Sequence, residues 1–368
     1  MSPRLRAANL ATLLPALLTA CASLRPGDLD IVAESPDRQW TGVAVSQAGR
    51  IFVNYPNWGG PYTNAVEELL PTGERVPYPD ARWNGWTPGA DPAERFVCVQ
   101  SVHIDNADRL WILDPAAPGF QGPVAGGPKL IEVDLATDEA ARIYHFDSAV
   151  APPGSYLNDV RIDLDANAAY ITDSGRGAIV VLDLATGDAR RLLEDHPAVK
   201  ADPDLVPVID GEPLTLGADP DGPTPRIHSD GLALDREYGF LYFQALTART
   251  LHRVPTSALL DASLPARLLA ERVEYLGATV VTDGMEIDEA GAIYFSALER
   301  DAVVYRTRDG RLFTLVRDAR IAWPDSFAIG PNRTLYFTTS QIHRTPSFTG
   351  ADAWPDTPYL LLRTRLPR

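Results

Sequence analysis

The chain has 368 residues, 45% of them hydrophobic, and a formal charge of −16. A surface so acidic excludes nucleic acid and anionic membrane surfaces as partners. Its 32 Pro and 27 Gly are spread along the whole length, which suits short strands and many turns better than long helices.

Residues 1–20 read as a processing segment. Basic MSPRLR precedes the 14-residue apolar run AANLATLLPALLTA, which is interrupted by Pro15 and too short to span a bilayer. The run ends in Leu18-Thr19-Ala20-Cys21, which resembles a bacterial lipobox, in which the Cys is lipidated and becomes the mature N-terminus. A plain secretory signal is the other reading. On the first reading residues 21–35 are a lipid-anchored N-terminus and closing strand, and residues 36–368 are the main domain. The protein is then a lipoprotein of the bacterial cell envelope, periplasmic or on the outer membrane, and touches membrane only through its anchor. On the second it is secreted. Cys98 remains as a free thiol inside RFVCVQSV, where it reads as a small buried hydrophobe.

One hairpin phrase then recurs six times. It begins WTGVAVSQAGRIFVNYP at 40, QSVHIDNADRLWILD at 100 and NDVRIDLDANAAYITD at 158. It returns as DGLALDREYGFLYFQA at 230, DGMEIDEAGAIYFSA at 283 and DSFAIGPNRTLYFTT at 325. In each copy two large apolar residues alternate with small or polar ones, as in Val43/Val45, Val160/Ile162 and Phe327/Ile329, before a turn and a second strand. Two further strands follow most copies, clearest in KLIEVDLATDEAARIYHF and AIVVLDLATGDARRLLED. Four-stranded units repeating every 42 to 72 residues predict an all-β fold, a six-bladed β-propeller with four-stranded antiparallel blades. After the sixth hairpin only YLLLRTRL at 359–366 remains, so LDIVAES at 29–35 is expected to complete the last blade and close the ring.

In such a ring the first strand of each blade lines the central channel. Thr41, Gln100, Asn158, Asp230, Asp283 and Asp325 occupy the equivalent position at its start, and every one carries a side-chain oxygen. Converging acids repel unless a cation or a ligand answers them, and oxygen donors of this kind suit Ca²⁺, Mg²⁺ or Mn²⁺. The alternative is that Asp and Asn here only cap the turn into the strand.

WTGVAVSQAGRIFVNYPNW, QSVHIDNADRLWILD, YLNDVRID and HSDGLALD resemble the major royal jelly protein/Yellow family, over roughly residues 36–366. More distantly, the chain is similar to the senescence-marker-protein/gluconolactonase propellers. That second resemblance implies a divalent cation held by Asn158, Asp230 and Asp283, with Asp283 doubling as the catalytic base of a lactone hydrolase. Thr41 stands where those enzymes place a first-blade Glu ligand. The Yellow resemblance implies instead dopachrome-type isomerisation or the binding of biogenic amines in the channel, with Thr41, Gln100 and Asp325 as further ligand contacts.

His228, two residues before Asp230, reads either as an acid/base group or as a loop His making a structural hydrogen bond. His103 reads as packing between blades. DLDAN (Asp163, Asp165, Asn167) imitates an EF-hand loop but lacks its Gly and closing Glu, so it reads as a hairpin turn. GRG at 175–177 lacks a following helix, and neither G-x-S-x-G nor H-E-x-x-H occurs. Insertions at 55–96, with Trp58, Trp83 and Trp86, and at 196–227 are expected on the faces of the ring, as lids or as packing on blade edges. The expectation is a monomeric propeller that binds, and in some relatives isomerises, a small-molecule ligand in its channel. A metal-dependent lactonase and a protein-interaction scaffold are the alternatives.

Overall fold

Each of the six copies folds as a four-stranded antiparallel sheet, in a computed structural model that describes residues 24–355 and 358–367. The processing segment and Cys21 lie outside the described residues. Blade 1 comprises Val43–Val45, Ile51–Asn54, Val66–Leu69 and Arg75–Pro77, and blade 2 Ser101–Ile104, Leu110–Asp114, Lys129–Asp134 and Glu139–His145. Blade 3 comprises Leu157–Asp163, Ala168–Asp173, Ala178–Asp183 and Ala189–Leu192, and blade 4 Ser229–Asp235, Phe240–Ala245, Thr250–Pro255 and Glu274–Ala278. Blade 5 comprises Met285–Ile287, Ile293–Ala297, Ala302–Arg306 and Leu312–Arg317. Blade 6 takes Pro324–Gly330, Thr334–Thr339 and Tyr359–Arg365 from the C-terminal region and Asp30–Ser35 from the N-terminal region. Asp30 pairs with Arg363 and Ser35 with Tyr359, so the ring closes as the sequence predicts.

A single sheet has two faces to bury, and the apolar clusters show how that is done. Leu113 and Leu130 of blade 2 pack with Val160 and Val180 of blade 3. Tyr170 and Val181 of blade 3 pack with Leu232 and Phe243 of blade 4, and Val43 and Val53 of blade 1 with Tyr359 and Leu361 of blade 6. Every cluster of this type spans two successive blades, so stability comes from neighbour-to-neighbour burial around a ring. Successive first strands touch each other, and the first strand of blade 6 touches that of blade 1. These six strands therefore line the axis.

The DLDAN segment is a hairpin turn, in which Asp163 accepts from the Ala166 N–H at 3.1 Å. Cys98 is fully buried and unpaired. Among the described residues no helix is long and apolar enough to cross a membrane.

Candidate functional site: a carboxyl cluster in the channel

The ring residues are placed by an irregularity that repeats in the first strands. In blade 3 Leu157 pairs with Asp173 and Val160 with Ile171, so Asn158 and Asp159 together oppose Thr172. In blade 4 Asp230 and Gly231 oppose Gln244, and in blade 6 Asp325 and Ser326 oppose Thr338. Two residues against one is a β-bulge, which bends the strand and re-aims a side chain. In these three copies the polar residue therefore sits at a bulge, while Thr41, Gln100 and Asp283 stand just before first strands that pair regularly. The Gly of each Asp-Gly pair is required by packing. A Cβ on Gly231 would lie 2.6 Å from the Asp283 carbonyl oxygen, and one on Gly284 would overlap the Asp325 carbonyl oxygen.

The second strand supplies a latch at the same level. Thr172 Oγ1 donates to the Asp230 carbonyl at 2.8 Å, Asn54 Nδ2 to the Gln100 carbonyl at 3.0 Å, and Thr338 Oγ1 to the Thr41 carbonyl. Each bond ties one blade to the ring residue of the next, which fixes the height of that residue on the axis.

All six ring residues are buried. Thr41 is used structurally: its hydroxyl donates to the Gln100 carbonyl at 3.2 Å and accepts from Asn54 Nδ2 at 2.9 Å. Gln100 accepts from the Tyr156 hydroxyl at 2.9 Å. The Asn158 side chain makes no hydrogen bond to a described residue. Asp230, Asp283 and Asp325 come together as a cluster. Burial, with Asp283 and Asp325 alongside, pushes the Asp230 carboxyl well above the usual range. Burial and then Asp283 do the same to Asp325. Asp283 is raised by burial to about 6, and hydrogen bonds from Trp323 and Asp230 keep it from going higher. The Trp323 Nε1–H donates to Asp283 Oδ2 at 2.7 Å. Asp325 Oδ1 accepts from Ser326 at 3.2 Å, while its buried Oδ2 has no partner. Burial and mutual repulsion thus favour the protonated form of these acids.

The same oxygens do not form a cation cage as they stand. No group of three or more His, Cys, Asp or Glu side chains among the described residues is arranged to hold a metal ion. Asp283 Oδ2 is occupied by Trp323, Asp230 and Asp283 share a hydrogen bond, and Thr41 is committed to its neighbours.

His228 turns away from this cluster. Its Nδ1 accepts from the Ala201 N–H at 2.9 Å, and burial with Lys200 nearby lowers its pKa. The first insertion divides its tryptophans. Trp83 is buried against Phe96 at the edge of blade 1, and Trp86 donates to the Ala90 carbonyl. Trp58 instead reaches the mouth, where its Nε1–H donates to the Tyr156 hydroxyl at 2.7 Å and its ring stacks on Phe120. The second insertion packs Ile209 and Leu214 against Trp323, and Asp210 pairs with His343 and Arg344 at 2.9 and 2.7 Å. Both insertions therefore reach residues beside the ring, Tyr156 for the first and Trp323 for the second.

Below the cluster lies a second layer, three residues further along each first strand: Ala44, His103, Arg161, Ala233, Glu286 and Ala328. Arg161 reaches from blade 3 to blade 5 in this layer. Its Nη1 meets Asp159 Oδ1 at 2.8 Å, and its Nη2 donates to the Met285 carbonyl at 2.5 Å and lies 3.6 Å from Glu286. Ala233 in the intervening blade carries only a methyl, which leaves the guanidinium room to pass from blade 3 to blade 5. His103 belongs to this layer and so faces the channel as well as the blade joint. Arg161 and Glu286 have a sequence signal: each is a charge between two large apolar residues on a buried strand, at the alternate position that must face the axis. Trp323 has no such signal, because its partner is 40 residues away.

Comparison with known proteins agrees with this architecture. The Major royal jelly protein family profile matches residues 97–344. The chain belongs to the major royal jelly protein family. Protein yellow of Drosophila subobscura is 31% identical over 143 residues, which cover 35% of this chain and 25% of that relative. The match therefore spans about a quarter of the curated relative. Among solved structures, regucalcin of Agrobacterium tumefaciens, described as a calcium-binding protein, superimposes with a TM-score of 0.52 at 16% identity, covering 91% of this chain and 96% of that one. A gluconolactonase of Xanthomonas campestris gives 0.51 at 12% identity, over 94% and 99%. At these identities the structural likeness speaks for the fold alone.

Proposed function

We propose that this family member binds a small organic ligand at the carboxyl cluster of its channel, and that the ligand is an aromatic amine or a catechol. The observation that supports this is the convergence of Asp230, Asp283 and Asp325, with Asp325 Oδ2 buried and left without a donor. An ammonium group or a pair of phenolic hydroxyls supplies the missing donors, and the open Asn158 amide adds a further polar contact. Trp323 and Tyr156 border the cluster through their hydrogen bonds to Asp283 and Gln100. Two carboxyls that share a proton are also what an isomerisation by proton transfer needs: one takes a proton from the ligand while the other returns one. The lipobox-like Leu18–Cys21 segment supports a location at the cell envelope, tethered through Cys21, with secretion as the alternative.

Calorimetric titration of aromatic amines and catechols into the purified protein tests the reading. Binding is expected, and Asp230→Asn or Asp283→Asn should weaken it at least about tenfold, the equivalent of one lost charged hydrogen bond. One tightly held divalent ion that disappears in Asp283→Ala, accompanied by turnover of sugar lactones, would replace this reading with metal-dependent hydrolysis. Ligand and metal binding both unchanged in the variants would leave only the scaffold role.

A further inference from the structure

The channel also opens away from the carboxyl cluster. A cavity of about 700 Å³ lies at the opposite mouth, where the first strands end. That volume is in the range of small-molecule sites, which are mostly apolar with a few converging polar groups. Its floor is the second layer, with Arg161, His103 and Glu286. Val43, Val45, Ile104, Ile162, Leu234 and Phe327 give its wall an apolar part, set among polar and charged side chains.

The charges of the lining are not equally free. Asp105 is held by Arg109 at 2.9 Å and by the Trp111 indole at 2.8 Å. Asp288 is held by Arg333 at 2.9 Å and by the Tyr294 hydroxyl at 3.0 Å. Glu286 faces Arg161 and accepts from the Ile287 N–H. Arg236, exposed at the rim, makes no ion pair or hydrogen bond with any described residue. Arg161, deep in the floor, has a buried Nε with no partner. His103 is kept neutral by burial and by the nearness of Arg161 and Arg236.

We propose that this vestibule is a second ligand site, one that takes a compact apolar molecule carrying a single carboxylate. The aliphatic wall takes the apolar body, and the Arg236 guanidinium takes the carboxylate as a fork. An amine in the same place would face Arg161 and Arg236. A doubly charged phosphate would face Glu286 and the exposed, unpaired Glu289 with one free guanidinium to answer it. The site does not rest on the reading of the carboxyl cluster, because its lining lies at the other end of the first strands and includes none of the cluster's acids.

Titration of 3-phenylpropionate, with 3-phenylpropylamine as its amine counterpart, into the full protein tests this. The carboxylate is expected to bind at least about tenfold more tightly than the amine. Arg236→Ala, an exposed position that does not carry the fold, should remove that preference, and Glu289→Gln should strengthen carboxylate binding. Ala328→Phe, which narrows the cavity from its wall, should weaken binding without altering the melting of the domain by more than a few degrees. No carboxylate binding, or equal binding of the amine, overturns the proposal. So does carboxylate binding that survives Arg236→Ala but is lost in Asp283→Asn, because the ligand would then sit at the other mouth.

Discussion

At the scale of single residues, burial alone does not decide the state of an acid. Asp114 and Asp173 are as deeply buried as Asp325, but Lys129 stands 2.9 Å from the first and Arg191 2.7 Å from the second. Asp230, Asp283 and Asp325 have no such ion pair among the described residues, only one another and neutral donors such as Trp323 and Ser326, so their carboxyls are raised. The sign of the stability effect follows. An acid whose pKa is higher folded than unfolded stabilises the fold fully below its unfolded pKa, near 3.8, and loses that contribution as pH rises through the folded value, about 6 for Asp283. Removing one acid relieves the cluster most at high pH. The melting temperature of Asp230→Asn relative to the native protein should therefore be higher at pH 8 than at pH 5. A difference that stays constant between these pH values would mean that the cluster is not holding protons.

At the scale of the strand, the bulge and its latch place the site. Asp-Gly in DGLALD and DGMEID reads as a turn by residue type, yet the glycine serves the approach of the neighbouring blade. At Gly284 the obstacle to a Cβ is the Asp325 backbone, which cannot rotate away as a side chain would. Gly284→Ala is expected to destabilise the domain by ~1–3 kcal/mol as an overpacked site. Thr338→Val, which removes the latch from blade 6 to the Thr41 carbonyl, should cost ~1 kcal/mol. Denaturant midpoints measure both. A neutral Gly284→Ala would show that the blades can separate at this level without penalty.

At the scale of the whole molecule, closure joins residues 30–35 to the strand at 359–365. Without Asp30–Ser35 the last blade has three strands, and the Tyr359–Arg365 strand becomes a free edge. A chain beginning at residue 37 should melt at least about 5 °C lower, a loss of ~2 kcal/mol for a domain of this size, and should associate through the exposed edge. Scanning calorimetry and light scattering on the two chains read this out, and equal melting would show that the ring does not depend on its N-terminal strand.

The six-fold repeat, the strand alternation and the missing last strand were legible in the sequence, because they depend on period-2 patterning and on counting, both local properties of the chain. The shared level of Asn158, Asp230, Asp283 and Asp325 was legible for the same reason: equivalent positions in equivalent units must reach the same axis. What those residues do to one another depended on the tertiary structure. The raised state of the acids comes from their burial and from their nearness to one another across blades, and Trp323 reaches Asp283 across 40 residues of chain. The reach of Arg161 to blade 5, and the vestibule at the far mouth, depend on residues of several blades. Burial, charge pairing and cavity shape are set by residues far apart in the chain, so only the closed ring decides them.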